Sequence, residues 1–352
     1  MAIKIWLDAL TPKQAMLFGS MYRDLVLQGY NVLLTARDYD YTIATLRQLD
    51  VKFTAVGGYG YDLRNKLVEE LKRMLLLLDI VESFDVLIAY PNPAAARIAF
   101  GLQKPYIALT DSPHSEIPSR LSLPLALAIV ISSCIPKKSI EQYIYKEKTH
   151  IIQFNGVDEV QWLRDFKPDQ TYLKLLDLKE YSYVVIRPPE IRASYYRNGF
   201  SIIELVEKLI QYLIKQDLSI VYLPRYNDDI IASKFSNTRN FIIPARELGV
   251  KGSQLLYYAI ASISGGGTMA REAALIGTLG ISLFPQELYV DACLERKGFP
   301  IMHASSFEEI IGRIKESIRD AEKYKNDSLI ALQSLEKPLS GVMKALEILN
   351  II

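Results

Sequence analysis

Short apolar runs alternate with longer amphipathic runs along almost the whole chain, and few folds can accommodate that alternation. The first apolar run, Ile3–Asp8, predicts a strand, and Lys13–Gln28 predicts a helix with Thr11 as its N-cap and Pro12 at its first position. Strands separated by helices form βαβ units, which require a parallel sheet with helices on both faces. The right-handed crossover rule then predicts a doubly wound α/β fold.

The alternation occurs in two sets, separated by the polar and irregular segment Asn155–Glu180. A chain of 352 residues is longer than most single domains, and half of its residues are apolar, so it can bury two sizeable cores. We therefore predict two Rossmann-like domains, residues 1–165 and 166–352, with the last helix able to pack back on the N-terminal domain. The ligand cleft is expected between the domains, at the C-terminal ends of both sheets.

Composition excludes several classes of protein. The 41 basic and 40 acidic residues give a net charge of +1, which does not favour nucleic acid as a partner. Three histidines and two distant cysteines predict no metal site and favour a reducing, cytoplasmic setting. The N-terminus meets Asp8 too early for a signal peptide, and the longest apolar stretch, Leu121–Ile135, is too short to span a membrane. Peripheral membrane contact and a homodimer stay open.

Three consecutive glycines separate a predicted strand, Ala259–Ser264, from a predicted helix that contains Glu272. Bare backbone N–H groups and the positive end of a helix dipole suit a phosphate. We therefore predict an anion site here, with Glu272 accepting hydrogen bonds from sugar hydroxyls; its residues are Ser264, Gly265, Gly266, Gly267 and Thr268. The alternatives are a tight turn in which glycine allows close packing, and an exposed Glu at a helix start. Arg271 is expected in a surface ion pair.

Two further loops of the second half carry candidate donor-binding residues. Arg187-Pro188-Pro189-Glu190 follows a predicted strand, and a guanidinium at that end of the sheet can bind a pyrophosphate through two parallel hydrogen bonds. Arg192 is a candidate helper. Gln286 follows the strand after the glycine turn and is a candidate for binding sugar hydroxyls. The alternatives are a rigid surface turn with a solvated Arg187, and an ordinary helix start at Gln286.

Two loops of the first half carry groups suited to an acceptor. Asp8, Thr11 and Lys13 surround the end of the first strand, which borders the cleft in a doubly wound domain. Asp111 and His114 follow a later strand, and a His beside a carboxylate is a natural general base, because the carboxylate orients the imidazole and raises its basicity. The alternatives are local backbone capping by Asp8 or Asp111 and a solvated Lys13.

These motifs resemble the GT-B superfamily and, more narrowly, UDP-N-acetylglucosamine 2-epimerase and its relatives. Thr11-Pro12-Lys13-Gln14-Ala15 is similar to the epimerases' first-strand loop, and Arg187-Pro188-Pro189-Glu190 to their His-Arg-x-Glu-Asn element. Ser264-Gly265-Gly266 with Glu272 is similar to their Ser-Gly-Gly loop and following Glu. The chain also resembles an uncharacterised, mainly archaeal family of this fold, which shares its Asp-Ala-x-Thr-Pro-Lys-Gln opening and its Asp-x-Pro-His loop.

The resemblance implies a nucleotide-sugar ligand on the C-terminal domain, with Glu272 on the ribose and the diphosphate near residues 264–268 and Arg187. The chain departs from the epimerases where Ile186 replaces their His before the Arg, and where Tyr90-Pro91-Asn92 replaces their Gly-Asp-Thr. Their His-x-Glu motif is also replaced, by the loop of Asp111. Epimerisation needs acid and base groups, so these departures argue against it more than against nucleotide-sugar binding.

We therefore expect a glycosyltransferase of glycan or polysaccharide biosynthesis, independent of metal and without a cofactor, that takes a nucleotide-diphosphate sugar and an acceptor. Asp111, His114 and Asp8 are the candidate catalytic residues, with Thr11 and Lys13 on the acceptor side. A nucleotide-sugar epimerase or hydrolase is the first alternative. A non-catalytic nucleotide-sugar-binding protein is the second.

Overall fold

The computed structural model describes residues 3–189, 199–226, 228–245 and 251–352, so the predicted roles of Glu190 and Arg192 lie outside the described residues. The chain divides into two compact units. The first unit comprises Met1–Trp162 and Leu335–Ile352, and the second comprises Leu163–Ser334. Each unit holds one parallel sheet with helices packed against it, which confirms the predicted doubly wound α/β class.

In the described residues of the first unit, seven strands alternate with helices along the chain. In chain order its elements are β1 (Lys4–Ala9), α1 (Pro12–Leu27), β2 (Asn31–Ala36), α2 (Thr42–Gln48), β3 (Thr54–Ala55), α3 (Leu63–Ile80), β4 (Val86–Ala89), α4 (Pro93–Gly101), β5 (Tyr106–Leu109), α5 (Glu116–Ser122), a 3-10 turn (Leu123–Leu125), β6 (Ala128–Ser132), α6 (Lys138–Glu141), β7 (His150–Phe154) and α7 (Val160–Leu163). The sheet order is β3-β2-β1-β4-β5-β6-β7.

The described residues of the second unit form a sheet of six strands. Its elements are α8 (Thr171–Leu175), β8 (Tyr183–Arg187), α9 (Gly199–Lys215), β9 (Ser219–Tyr222), α10 (Ile230–Phe235), β10 (Phe241–Ile242), α11 (Gly252–Tyr257), β11 (Ala261–Ser264), α12 (Gly267–Leu275), β12 (Leu279–Ser282), α13 (Tyr289–Arg296), β13 (Ile301–His303) and α14 (Phe307–Gln333). The sheet order is β10-β9-β8-β11-β12-β13. Strand order therefore reverses between β1 and β4 in one sheet and between β8 and β11 in the other, and such reversals open a crevice at the carboxyl ends of the strands.

The last helix, α15 (Pro338–Ile348), packs on β6 and β7 of the first unit. Its apolar face joins the core of that unit, which also holds the buried strands β1 and β4. Gly341 allows a close approach to the sheet, because a Cβ there would lie 2.5 Å from Val130 Cγ1. A second core in the other unit lies between its sheet and helices α9 and α14.

Several local predictions are confirmed and others corrected. The predicted start of α1 is confirmed, since Thr11 Oγ1 accepts the Gln14 N–H and Pro12 is the first helical residue. The segment predicted as irregular contains α7 and α8 and two buried carboxylates, Asp158 and Glu159. Neither cysteine is a free thiol, and the expected reducing, cytoplasmic setting stays a prediction. Within the described ranges, we find no helix that is both long enough and apolar enough to cross a bilayer.

Candidate functional site

The glycine turn of the second unit lies at the reversal point between β8 and β11. Ser264, the last residue of β11, pairs in register with Arg187, the last residue of β8. The Gly265 N–H donates to the Arg187 carbonyl at 3.0 Å, and the Gly266 N–H donates to Ser264 Oγ at 3.2 Å. These two amides are therefore occupied within the turn.

Helix α12 begins one residue later, at Gly267, with Gly266 as its N-cap. The first N–H groups of an α-helix have no acceptor inside the helix, and the helix dipole favours an anion beside them. The amides best placed to bind a phosphate are consequently those of Gly267 and Thr268, at the end of the predicted stretch.

The three glycines differ in how much space a side chain would have at each position. A Cβ on Gly265 would lie 2.1 Å from Pro189 Cα, because the loop after β8 packs directly on the turn. A Cβ on Gly267 would lie 2.2 Å from Arg271 Nη1. At Gly266 the nearest atom to such a Cβ is Arg225 Nη2, at 3.8 Å. Close packing thus explains two of the glycines, and the third leaves the turn open beside a cation.

Arg225 is a residue of this site that sequence reasoning missed. It lies in the loop after β9, the strand next to β8, and its Nε donates to the Pro188 carbonyl at 2.8 Å. The guanidinium therefore stands beside the glycine turn while its stem is fixed by the neighbouring loop. The sequence shows that Arg225 follows a predicted strand, as Arg187 does. It does not show that these two strands pair, so the two arginines could not be placed together from the sequence.

The carboxylates on and near α12 are buried. Glu272 is 8% exposed, and its Oε2 accepts a hydrogen bond from Ser253 Oγ of α11 at 3.3 Å, so the alternative of an exposed first-turn Glu is wrong. The expected surface location of the Arg271 ion pair is also wrong. Arg271 Nη1 lies 2.9 Å from Asp291 Oδ1, and both side chains are 3% exposed.

The last donor-side candidate, Gln286, is exposed in the loop between β12 and α13. That loop starts beside the glycine turn, since the Leu283 N–H donates to the Ser264 carbonyl at 2.8 Å. The structure therefore brings Arg187, Arg225, the glycine turn and the loop of Gln286 to one edge of the second sheet.

A charged cluster occupies the corresponding edge of the first unit. Lys13 Nζ is 2.6 Å from Asp158 Oδ2 and forms a second ion pair with Asp111 Oδ2. The Tyr90 hydroxyl lies 2.9 Å from Lys13 Nζ and donates to Asp158. Lys13, Asp111 and Asp158 are each at most 14% exposed, so the attraction is only weakly screened. We call Lys13, Tyr90, Asp111 and Asp158 the lysine cluster.

The lysine cluster has chemical capacity for proton transfer. One ammonium lies between two carboxylates, and a carboxylate can accept a proton from a bound hydroxyl. Ser112 Oγ also donates to Asp111 Oδ1 at 2.7 Å and orients that carboxylate. His114 lies in the same loop, after β5, and Thr11 lies at the N-cap of α1, two residues before Lys13.

Asp158 and Tyr90 were not found from the sequence. Asp158 lies in the segment predicted to be an irregular linker, and Tyr90 follows β4 without a polar motif around it. Each follows a strand of the first sheet, so position relative to the strand ends was the available signal.

Asp8 stands apart from the lysine cluster, although the sequence groups it with the catalytic candidates. Its carboxylate is fully buried and forms a bidentate pair with Arg73 of α3, at 2.9 and 2.6 Å. Thr35 Oγ1 and Asn92 Nδ2 each donate to it as well. Both oxygens are thus occupied, which suits a residue that ties β1 to α3 and α4.

The sequence is similar to a protein family and to an archaeal protein over most of its length. The family described as "Protein of unknown function (DUF354)" matches residues 3–343. The uncharacterized protein MJ0665 of Methanocaldococcus jannaschii is 27% identical over 325 residues, covering 90% of this chain and 92% of that protein.

Solved structures show the same fold at low sequence identity. One is the UDP-GlcNAc 2-epimerase of Methanocaldococcus jannaschii in complex with UDP-GlcNAc and UDP, with a TM-score of 0.70 and 13% identity over 90% of this chain and 93% of that one. Another is the glycotransferase of kitacinnamycin, with a TM-score of 0.58 and 10% identity over 99% of each chain. The fold is therefore that of the GT-B epimerases and glycosyltransferases.

Proposed function

We propose that this chain, which belongs to the DUF354 family, is a glycosyltransferase whose second unit binds a nucleotide-diphosphate sugar and whose first unit handles the acceptor. The observation that carries the proposal is the glycine turn with Arg187 and Arg225 at the strand-order reversal of the second sheet. Backbone amides, a helix N-terminus and guanidinium groups on one edge are the combination that binds a diphosphate. The fold shared with epimerases and a glycosyltransferase supports the same class of ligand.

The donor-side residues would act on the leaving group. As the bond between the sugar and the diphosphate breaks, the electron pair leaves with the diphosphate and negative charge develops on its oxygens. The N–H groups of Gly267 and Thr268, together with the Arg225 and Arg187 guanidinium groups, stabilise that charge from positions set before the reaction. Glu272 accepts hydrogen bonds from the ribose, and Gln286 contacts sugar hydroxyls. No metal ion or cofactor takes part in this proposal.

The acceptor-side residues would take up the proton. The acceptor oxygen bonds to the anomeric carbon as its proton passes to the Asp111 carboxylate. Lys13 holds that carboxylate in place, and Asp158 and Tyr90 hold Lys13 through the contacts of the lysine cluster. His114, in the loop of Asp111, is the second candidate base. We assign Asp8 a positioning role, because its oxygens are already bonded to Arg73, Thr35 and Asn92.

A nucleotide-sugar epimerase or hydrolase is the second candidate, and one observation favours it. The sequence lacks a carboxylate that the epimerases carry after one strand, but in the structure a second carboxylate, Asp158, and a phenol, Tyr90, contact the same lysine as Asp111. Two carboxylates and a phenol can supply both an acid and a base. The third reading is a protein that binds a nucleotide sugar without turnover.

Donor binding is tested by calorimetry with UDP, GDP and ADP and their common sugars. We expect at least one of these ligands to bind, and Arg187→Ala and Arg225→Ala to weaken it at least about tenfold each, since a charge-assisted hydrogen bond contributes about 1.5–3 kcal/mol. Glu272→Ala should weaken nucleotides that carry a ribose. Arg239→Ala, an exposed arginine of the same unit, is the matched control. Unchanged affinity in both arginine variants would contradict the donor site.

Turnover separates the three candidates. The bound nucleotide sugar is incubated with and without a cell-extract fraction that contains potential acceptors, and the nucleotide and sugar products are resolved by chromatography. Release of nucleoside diphosphate only when the acceptor fraction is present supports a transferase. An epimer or free nucleoside diphosphate without acceptor identifies the second candidate, and binding with no product under either condition identifies the third.

A further inference from the structure

Arg37 lies at the ligand edge of the first sheet, outside the lysine cluster. It follows β2 directly, and its backbone N–H donates to the Ala9 carbonyl at the end of β1, at 2.8 Å. Its Nη2 donates to the Leu10 carbonyl at 3.0 Å. Leu10 belongs to the loop that leads to Thr11 and Lys13, so the guanidinium is anchored beside the proposed acceptor residues.

Two tyrosines contact the Arg37 guanidinium. Its central carbon lies 5.3 Å from the ring centroid of Tyr39 and 4.7 Å from that of Tyr59, and the two centroids are 4.5 Å apart. Aromatic rings hold a guanidinium in one orientation and attract it without neutralising it. The planar fork of hydrogen-bond donors is therefore pre-organised.

Among the residues that the structure describes, no ion pair neutralises the charge of Arg37. In the described ranges, none of the ion pairs within 4.0 Å includes it, and its Nε is buried without a hydrogen-bond partner. The charged groups that face it are Arg73, Asp8 and Glu70. Asp8 is already bound by Arg73 through both oxygens. Burial, and then Arg73, lower the pKa of Arg37, and burial raises the pKa of Glu70.

We propose that Arg37, held by Tyr39 and Tyr59, binds an oxyanion of the second substrate. An anionic oxygen that accepts hydrogen bonds from the guanidinium supplies the counter-charge that the ion pairs of the described residues do not give Arg37. The ligand chemistry is a phosphate or a carboxylate, both of which match the guanidinium fork. The substrate thereby carries an acid group some distance from the hydroxyl that reacts. The assignment of this anion to an acceptor substrate rests on the proposed function. The presence of an anion site at Arg37 does not depend on it.

The test follows the Arg37 Nε–H resonance by nuclear magnetic resonance of the full chain, with the signal assigned by its loss in Arg37→Lys. Inorganic phosphate and acetate are titrated in separate experiments, which distinguish a phosphate site from a carboxylate site. We expect a saturable shift of this resonance with one of the two anions. Arg64→Gln removes an exposed arginine of α3 and should leave the shift and its midpoint unchanged.

Binding of the same anion is then measured by calorimetry on protein saturated with the nucleotide identified above, so that the donor site is filled. Arg37→Gln should weaken it at least about tenfold, and Arg37→Lys by less, because lysine keeps the charge but not the fork. Circular dichroism establishes that both variants are folded. If neither anion moves the Arg37 Nε resonance, the inference is overturned. Nucleotide binding at Arg225 is tested separately, by the calorimetry with Arg225→Ala.

Discussion

Asp8 contributes to the stability of the first unit through its buried ion pair with Arg73. Asp8→Ala leaves the buried guanidinium of Arg73 without its bidentate partner. Breaking a buried pair in this way destabilises proteins by about 3–5 kcal/mol, so we expect a loss of that size. Trp6 Nε1 donates to Thr35, which donates to Asp8, so tryptophan fluorescence during urea unfolding reports the change directly.

The matched control is the exposed pair of Glu116 and Arg120, whose partners are separated by one helical turn on α5. Glu116→Ala should change the free energy of unfolding by less than about 0.5 kcal/mol, because exposed pairs contribute little. An Asp8→Ala variant as stable as Glu116→Ala would show that Arg73 finds another partner, and the positioning role assigned to Asp8 would then be wrong.

At the scale of elements, the packing of the glycine turn between β11 and α12 predicts that an added methyl group is tolerated at one glycine and not at its neighbour. Gly265→Ala places a methyl group 2.1 Å from the backbone of Pro189, so the loops after β8 and β11 must separate. We expect a loss of about 1–3 kcal/mol in stability and a clear loss of nucleotide affinity. Gly266→Ala makes only an ordinary van der Waals contact, 3.8 Å from Arg225 Nη2, on an extended backbone, and should cost less than about 1 kcal/mol. Equal stability losses in the two variants, measured by urea unfolding, would contradict this division of roles.

The same turn shows what could be predicted from the sequence. Periodicity, the cap at Thr11 and the glycines after an apolar run depend on residues close in the chain, so β1, α1 and the passage from β11 to α12 follow from local chemistry. Arg225, Asp158 and Tyr90 join their sites through strand order, which brings together loops that are far apart in the chain. The burial of Arg271 likewise depends on its ion pair with Asp291, twenty positions further along the chain, and no local sequence pattern predicts it.

At the scale of the whole molecule, one buried lysine links stability to pH. Lys325 of α14 is 6% exposed, and its Nζ donates to the Tyr257 carbonyl and lies 3.7 Å from the centroid of that ring. It also lies 3.4 Å from Thr278 Oγ1. Tyr257 and Thr278 precede β11 and β12, so the lysine sits at the amino ends of these strands, away from the glycine turn. A change in its charge should therefore affect folding rather than ligand binding.

Burial lowers the pKa of Lys325 to about 7, against a smaller upward effect of Glu180. The unfolded chain, with an ordinary lysine pKa of about 10.4, binds this proton more tightly than the folded chain between those two values. The free energy of unfolding should consequently rise with pH across that window, by about 2 kcal/mol from pH 7 to pH 9. Lys325→Met removes the titrating group, so its stability should not show this rise, whereas Lys323→Met, an exposed neighbour on the same helix, should keep it.

Urea unfolding at both pH values distinguishes the units. Both tryptophans, Trp6 and Trp162, lie in the first unit, so fluorescence reports that unit, while circular dichroism reports both. If the units unfold separately, only the transition seen by circular dichroism alone should move with pH, because Lys325 belongs to the second unit. A parallel rise in the parent chain and in Lys325→Met would assign the pH dependence to other groups. If stability rises with pH in the parent chain and in Lys323→Met but not in Lys325→Met, the rise is caused by the Lys325 ammonium. Lys323→Met also loses a lysine but keeps the buried one, so it controls for the loss of a charge at the surface.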